Sequence, residues 1–524
     1  MSILRPSWKP VLAFSAAVGI GTSSYLYLSR PPKSPSFEIA VKSKNSSGRS
    51  EMTTRTLPLL SKLALEERLT AIQGRKSVTR HGGVKWNWHT AQLNANDPIE
   101  DTMAQAIVER DEKDGDYMFF AVMDGHGGFW TSRLLEKVLI PSVALEIGKL
   151  GSDPVSFIPK PKTALEILKS YLPLPLGSPP PQPRRFTDDP KYMSVALQTA
   201  FANVDSEIIN APLRILSNPP KDMSTEPMAL PSFLPAMSGS CALLTLLDTA
   251  NRDLYVACTG DSRAVAGSFD PLTKQWSVEV LTEDQTGRNP NELTRIQSEH
   301  PADEASSVIK RGRILGGLEP SRAFGDARYK WPRETQQKLS QLFSGVLGQP
   351  MRSPPGELKT PPYVTCQPVI THRKLDFLPS SDSPEPGPKS SLRFLVLATD
   401  GLWDRLSSAQ VVSLVSGYLA GVRGTIPRST LPVVVANAGV EGKAHKPSED
   451  DEGLQRGTWL FQDDNLATHL LRNSLLGPGG NEDELRKLVS IPPPLARSFR
   501  DDTSITVVWW EEDNTPSDTV KAKL

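Results

Sequence analysis

Cysteine is almost missing from this chain. Its 524 residues hold three, Cys241, Cys258 and Cys366, with no Cys-x-x-Cys pair among them. That excludes a zinc knuckle and a disulfide framework. Cys241 and Cys258 lie in apolar runs and are expected to be small buried hydrophobes. An excess of charge is missing too. Lys+Arg and Asp+Glu both number 59, so the formal net charge is zero. A nucleic-acid binder working through a globally basic surface is therefore not expected. There is no Gly-rich Walker loop to cradle a nucleotide, so nucleotide-driven transfer is not indicated. Internal repeats are also absent. The length suits one large catalytic domain or two to three average ones.

Proline is plentiful, at 47 residues, and clustered. Pro- and Ser-rich stretches at 159–185, 218–235, 331–361 and 379–391, and a mixed stretch at 421–455, read as surface loops inserted into one domain spanning about 57–512. Between them lie apolar runs of strand length, at Tyr117–Met123, Ala242–Leu247, Asp253–Thr259, Arg393–Ala398 and Ser504–Trp510. Phe129–Leu139, Ala196–Ile209 and Asn465–Leu475 have helical spacing. Ser407 with Gln410 predicts a capping box for a helix reaching Leu419.

The two ends carry address-like features. No charge falls between Lys9 and Arg30, while Arg5, Lys9, Arg30 and Lys33 flank the gap and no acid precedes Glu38. Residues 1–50 thus predict a mitochondrial targeting segment, with about 10–29 as a membrane anchor. A secretory signal is the alternative, disfavoured by the missing disulfide pattern. The 513–524 tail ends in Ala522-Lys523-Leu524, which differs at one position from a Ser-Lys-Leu address and adds peroxisomal import as a lesser expectation.

The chemistry gathers where apolar runs stop. One runs into Asp124-Gly125-His126-Gly127-Gly128, a second into Gly260-Asp261-Ser262-Arg263, a third into Asp400-Gly401-Leu402-Trp403-Asp404. Asp501-Asp502 opens the last run and Glu100-Asp101 precedes the first. Any one Asp-Gly is more often a hairpin turn than a site. Here helix-like sequence, not a returning strand, follows Gly128, and the acids recur at several strand ends. Many carboxylates with one histidine and almost no thiol suit a hard cation, Mn2+ or Mg2+. Two such ions could clamp a phosphate.

Taken in order, these motifs make the chain resemble the metal-dependent 2C-type protein phosphatases. The resemblance rests on Pro98–Asp101, Asp124–Gly128, Ser238–Ala242, Thr259–Ala264, Ser321–Asp326, Ala398–Asp404 and Arg500–Asp502, and covers most of Leu57–Trp510. Within the family it is most similar to the pyruvate dehydrogenase phosphatase catalytic subunits, through Asn94–Asp101, Asn291–Pro301, Arg322–Trp331, Pro361–Pro368, Ala467–Leu470 and Leu495–Asp502. It implies an α+β four-layer sandwich, two antiparallel sheets flanked by helices, with metals at one end. It also implies a phosphorylated protein substrate, the pyruvate dehydrogenase E1 subunit, in the mitochondrial matrix or at the inner membrane.

Carried over residue by residue, the resemblance makes Asp124 the bridge between two ions. Glu100 and the Gly125 carbonyl would help hold one ion, and Asp400 and Asp501 the other. Asp261 and Asp404 would contribute to a weaker third site, and Asp101 would order water. His126 would be the general acid, or would only orient water. One departure stands out. Many family members place a phosphate-binding arginine four residues before the glutamate, and here that residue is Asn96. Arg263 and Arg322 are candidates for the substrate phosphate or structural ion-pair partners. Trp86, Trp88, His89, His300, His469 and Trp403 are expected in packing or structural roles. Two other readings remain at this point, a catalytically inert scaffold and a two-metal hydrolase of nucleotides or nucleic acid. The full set of acids argues against the first and the neutral charge against the second.

Overall fold

A computed structural model describes residues 35–44, 50–80, 83–110, 115–152, 186–348, 350–375, 391–431, 435–437, 457–477 and 480–512. The apolar segment 10–29, the 513–524 tail, the inserted stretch 159–185, nearly all of 379–391 and most of 421–455 lie outside them. Among the described residues no helix is long and apolar enough to cross a membrane.

Two compact units divide at Ser61/Lys62. The first contains an antiparallel hairpin, Ser36–Lys44 against Ser50–Pro58, with Ser36 opposite Pro58. The second holds two large sheets and smaller ribbons. Its strands are β1 (Ile72–Thr79), β2 (Val84–Leu93), β3 (Thr102–Glu109), β4 (Asp116–Met123), β5 (Ala242–Asp248), β6 (Asp253–Thr259), β7 (Arg263–Asp270), β8 (Gln275–Val280), β9 (Val369–Lys374), β10 (Ser391–Ala398), β11 (Val435–Asn437) and β12 (Thr503–Glu512). One sheet has the order β9-β6-β5-β4-β3, the other β11-β8-β7-β10-β12-β2-β1. Every pair is antiparallel except β8 with the three-residue β11.

Helices cover both outer faces. They are α1 (Lys62–Thr70), α2 (Trp130–Ser152), α3 (Pro190–Ser217), α4 (Ala229–Met237), α5 (Pro290–Glu299), α6 (Arg333–Phe343), α7 (Ser408–Leu419), α8 (Leu466–Leu475) and α9 (Glu482–Ser490). Helices α2, α3 and α4 pack beside the five-stranded sheet, and α7 and α8 on the seven-stranded one. The expected four-layer α+β sandwich is the architecture found.

Strand β4 shows why its sequence is one unbroken apolar run. Met118, Phe120 and Val122 point between the sheets, against Trp86, Trp88, Leu395 and Val508. Phe119, Ala121 and Met123 point the other way, against Leu135, Leu139 and Phe201 of the helices. A strand buried on both faces has no polar alternation to display. The capping box at α7 forms as expected, Ser407 Oγ accepting from Gln410 N while Gln410 Oε1 accepts from Ser407 N. Helix α3 starts on Asp189, whose side chain accepts from Lys191 N, with Pro190 at the first helical position.

Two stretches read as loops are partly helical. Helix α4 falls in 218–235 and α6 in 331–361, and Phe233 stacks on Phe343 with ring centroids 4.4 Å apart. Pro231 sits in the first turn of α4 and Pro332 just before α6, where no helical N–H is lost, while Pro235 lies inside α4. The stacked pair belongs to the buried core of the helical layer.

Candidate active site

Antiparallel pairing brings the acids together. Thr102 at the start of β3 lies opposite Met123 at the end of β4, so Glu100-Asp101 and Asp124 share one end of the sandwich. Ala398 near the end of β10 pairs with Ile505 near the start of β12, which adds Asp400 and Asp501 to that end. Thr259 pairs with Ala242, and Asp261 follows. Gly260 has φ +107°, and a Cβ there would overlap the Cys241 side chain, so the turn carrying Asp261 requires glycine.

Asp124, Asp261 and Asp400 each present an oxygen, all within 4.8 Å of one another. Asp404, Asp501, Gly125 and His126 line the same cleft, of about 540 Å³. Burial pushes Asp124 well above the usual carboxylate range, and repulsion from Asp101, Asp400, Asp261 and Asp501 adds to it. Burial likewise lifts Asp501 to about 6. A cluster of acids that resist ionising together fits divalent cations, whose charge would relieve the repulsion.

Glu100 and Asp101 stand behind this trio and do not line the cleft. Glu100 accepts from Gly128 N at 2.6 Å and from Asn96 Nδ2 at 3.3 Å, and burial raises its pKa. Asp101, 2% exposed, accepts from Thr399 Oγ1 at 2.9 Å. Burial, then repulsion from Asp502, raises it well above the ordinary value. Asp502 ties the loop down, accepting from the backbone N–H groups of Ala95, Asn96 and Glu100 and from the Asn96 amide.

His126 sits on a short strand, Gly125–His126, paired with Gly239–Ser240, which pairs in turn with Phe324–Gly325. That three-stranded ribbon sets Asp326 Oδ2 2.6 Å from His126 Nε2. Burial lowers the imidazole pKa, but the charge and hydrogen bond of Asp326 outweigh it and the net shift is upward. Asp326 adopts a left-handed backbone, φ 48°, costly for a residue with a Cβ. Lys330 holds the segment by pairing with Asp205 at 2.7 Å, and Asp205 also accepts from Gly325 N. A Cβ at Gly239 would overlap both His126 Nε2 and Asp326 Oδ2, so glycine keeps the pair in contact.

Arg263 and Arg322 are engaged away from the acidic cleft. Arg263 is 3% exposed, forks onto Asp284 at 3.1 and 2.9 Å and donates to Ser408 Oγ. Arg322 forks onto Glu292 and donates to the Gln367 carbonyl at 2.8 Å. Neither lines the acidic cleft. The arginines that do are Arg288, Arg313 and Arg497, none of which sequence reasoning singled out. Asp326 ends the Ser321–Asp326 motif, and its place in the sequence alone points to no role. Arg497 lies in the Leu495–Asp502 stretch that carries the finer family similarity, four residues before Asp501.

The remaining aromatic and histidine side chains pack as expected. Trp86 and Trp88 are core residues. Trp403 donates to the Ala398 carbonyl beneath the Arg263 guanidinium. His300 stacks on Tyr363, and His469 is fully buried beside Asn473. All three cysteines are buried, and Cys241 Sγ donates to Asp261 Oδ1 at 3.2 Å.

Comparison with known proteins identifies the family. Residues 197–421 match the family model described as protein phosphatase 2C. The chain is 34% identical over 448 residues to a protein phosphatase 2C homolog of Schizosaccharomyces pombe, covering 86% of this chain and 85% of that one. It is 32% identical over 531 residues to the mitochondrial [pyruvate dehydrogenase [acetyl-transferring]]-phosphatase 1 of Saccharomyces cerevisiae, covering 97% and 83%. The human protein of that name is 30% identical over 442 residues, covering 80% and 76%. With carboxylates gathered at the end of a two-sheet sandwich and relatives matching most of its length, the chain belongs to the protein phosphatase 2C family of metal-dependent serine/threonine protein phosphatases.

Proposed function

We propose that this phosphatase removes phosphate from phosphoserine or phosphothreonine on a mitochondrial protein, the E1 subunit of pyruvate dehydrogenase. The observation that carries the site reading is the trio Asp124, Asp261 and Asp400, within 4.8 Å and mutually repelling. The substrate and the compartment, matrix or inner membrane, rest on the names of the S. cerevisiae and human relatives and on the basic, acid-poor first 37 residues.

In this reading Asp124, Asp400, Asp501, Glu100 and the Gly125 carbonyl hold two Mn2+ or Mg2+ ions, and Asp261 with Asp404 supports a weaker third. Bound there, such ions supply a more acidic water and a positive field for the phosphoryl oxygens. Asp101 orders water behind the cleft. His126 donates a proton to the serine or threonine oxygen as it leaves, and Asp326 fixes the ring and favours its charged form. The substrate enters as an ester, water adds at phosphorus, and the alcohol and inorganic phosphate depart.

The test uses the full-length protein with Mn2+, phosphorylated E1, a phosphoserine peptide and an aryl phosphate. His126→Ala is expected to lose about 10²–10⁴-fold in kcat on the peptide, the usual worth of a positioned acid. It should lose far less on the aryl ester, whose leaving group needs no proton. Equal losses on both esters contradict the acid role. Phosphorylated E1 turning over no faster than the peptide contradicts the substrate.

A further inference from the structure

The phosphate needs a cationic partner that the family's usual position does not provide here. Asn96 stands at that position, and its amide is committed, to Asp502 Oδ2 at 2.9 Å and to Glu100 Oε2 at 3.3 Å. It braces the acidic loop and brings no positive charge. Yet six carboxylates, those of Asp124, Asp261, Asp400, Asp404, Asp501 and Glu319, line the cleft, and cations alone give a dianion little directional recognition.

Three guanidiniums do line the cleft. Arg288 and Arg313 share one acid, contacting Glu319 Oε1 at 2.6 Å and Oε2 at 2.5 Å. Arg497 stands on the short helical turn Leu495–Ser498, with Nη1 2.8 Å from Asp501 Oδ2. Arg497 directly touches a member of the acidic centre, Asp501. Its side chain is half exposed, 51%, so it meets solvent and carboxylate together. A guanidinium has five N–H donors in a planar fork, and one carboxylate oxygen does not exhaust them.

We propose that Arg497 is the residue that binds the substrate phosphate in this chain, approaching from the Asp501 side in place of an arginine at position 96. The proposal rests on the phosphatase reading above. Anchoring on Asp501 fixes the fork beside the place where the ester must lie to meet the acidic centre. Arg288 and Arg313, tied to Glu319, are left to meet the peptide around the phosphate.

The probes are p-nitrophenyl phosphate as substrate and inorganic phosphate as inhibitor, with full-length protein at saturating Mn2+. Arg497→Ala should raise KM and the phosphate inhibition constant together by about tenfold, the worth of a charged hydrogen bond. The change in kcat should be smaller, and Arg497→Lys should recover part of both. Melting curves of the variants check folding, and position 497 is exposed enough to tolerate both changes. An unchanged phosphate inhibition constant in Arg497→Ala overturns the proposal. So does a rise that disappears once Mn2+ is increased, because Arg497 would then act only by supporting Asp501. Wild-type protein that neither hydrolyses the ester nor binds phosphate sinks the phosphatase reading itself, a result separate from either.

Discussion

Asp124→Asn is expected to abolish turnover while making the metal-free protein more stable. The two effects share one cause. Asp124 lies in a trio whose oxygens are within 4.8 Å, and burial together with four acidic neighbours pushes its pKa well up. Without cations, an amide in its place removes one charge from a repelling set, so the melting temperature should rise by about 1 °C for each kcal/mol of repulsion relieved in a domain of this size. With cations the order reverses. At a hundred times its dissociation constant, a bound ion stabilises the wild-type fold by about 2.7 kcal/mol, and the variant should lose most of that gain. Loss of several kcal/mol of transition-state charge stabilisation corresponds to a rate lower by about 10³-fold or more. Scanning calorimetry with chelator and with Mn2+, beside a phosphate-release assay, reads all three. A variant less stable than wild type in chelator contradicts the electrostatic account of the site.

Glu292→Gln should cost the most stability of any single change near the cleft, about 3–5 kcal/mol, because it strands a buried guanidinium. Glu292 on α5 is 4% exposed and accepts from Arg322, Arg295 and Ser321 Oγ. Burial alone would raise its pKa, but hydrogen bonds and charges from Arg322 and Arg295 win and hold it at about 2, against an ordinary 4.5. A depressed carboxylate contributes stability that is fully present above the unfolded value. That stability is lost as pH falls from about 4.5 towards 2, and here it amounts to about 3 kcal/mol. Wild type should therefore lose stability over that acid window more steeply than Glu292→Gln, as urea unfolding in chelator at pH 7 and pH 3.5 would show. Parallel pH dependence would contradict the assignment. The pair also bears on catalysis, since Arg322 begins the segment that carries Phe324, Gly325 and Asp326 to His126.

How much of this was legible beforehand depends on what each residue answers to. Strands β4, β5, β6, β10 and β12 were readable because both faces of β4 and most of the others are buried, leaving long apolar runs. β1, with the sequence IQGRKSVT, was not, because an edge strand with mostly exposed side chains has no such run. Helices α4 and α6 were hidden by prolines that mark a helix start as readily as a loop. The acids of the site were visible because each follows or precedes an apolar run. The cleft arginines were not, because residues 288, 313 and 497 meet only through the fold. Arg263 and Arg322 show the converse, since a place in a family motif did not reveal that their forks are filled by Asp284 and Glu292. Asp326 lay in plain sight, but its contact with His126 spans 200 residues.

The central claim is that the carboxylates at the end of the sandwich hold divalent cations that drive phosphate release. The most direct measurement is phosphate liberated from a phosphoserine peptide by the full-length protein, first in chelator and then as Mn2+ or Mg2+ is added, with Asp400→Asn alongside. The account predicts no release in chelator, saturable recovery with metal, and no recovery in the variant. Release that persists in chelator, or full activity of Asp400→Asn at ordinary metal concentrations, would contradict it.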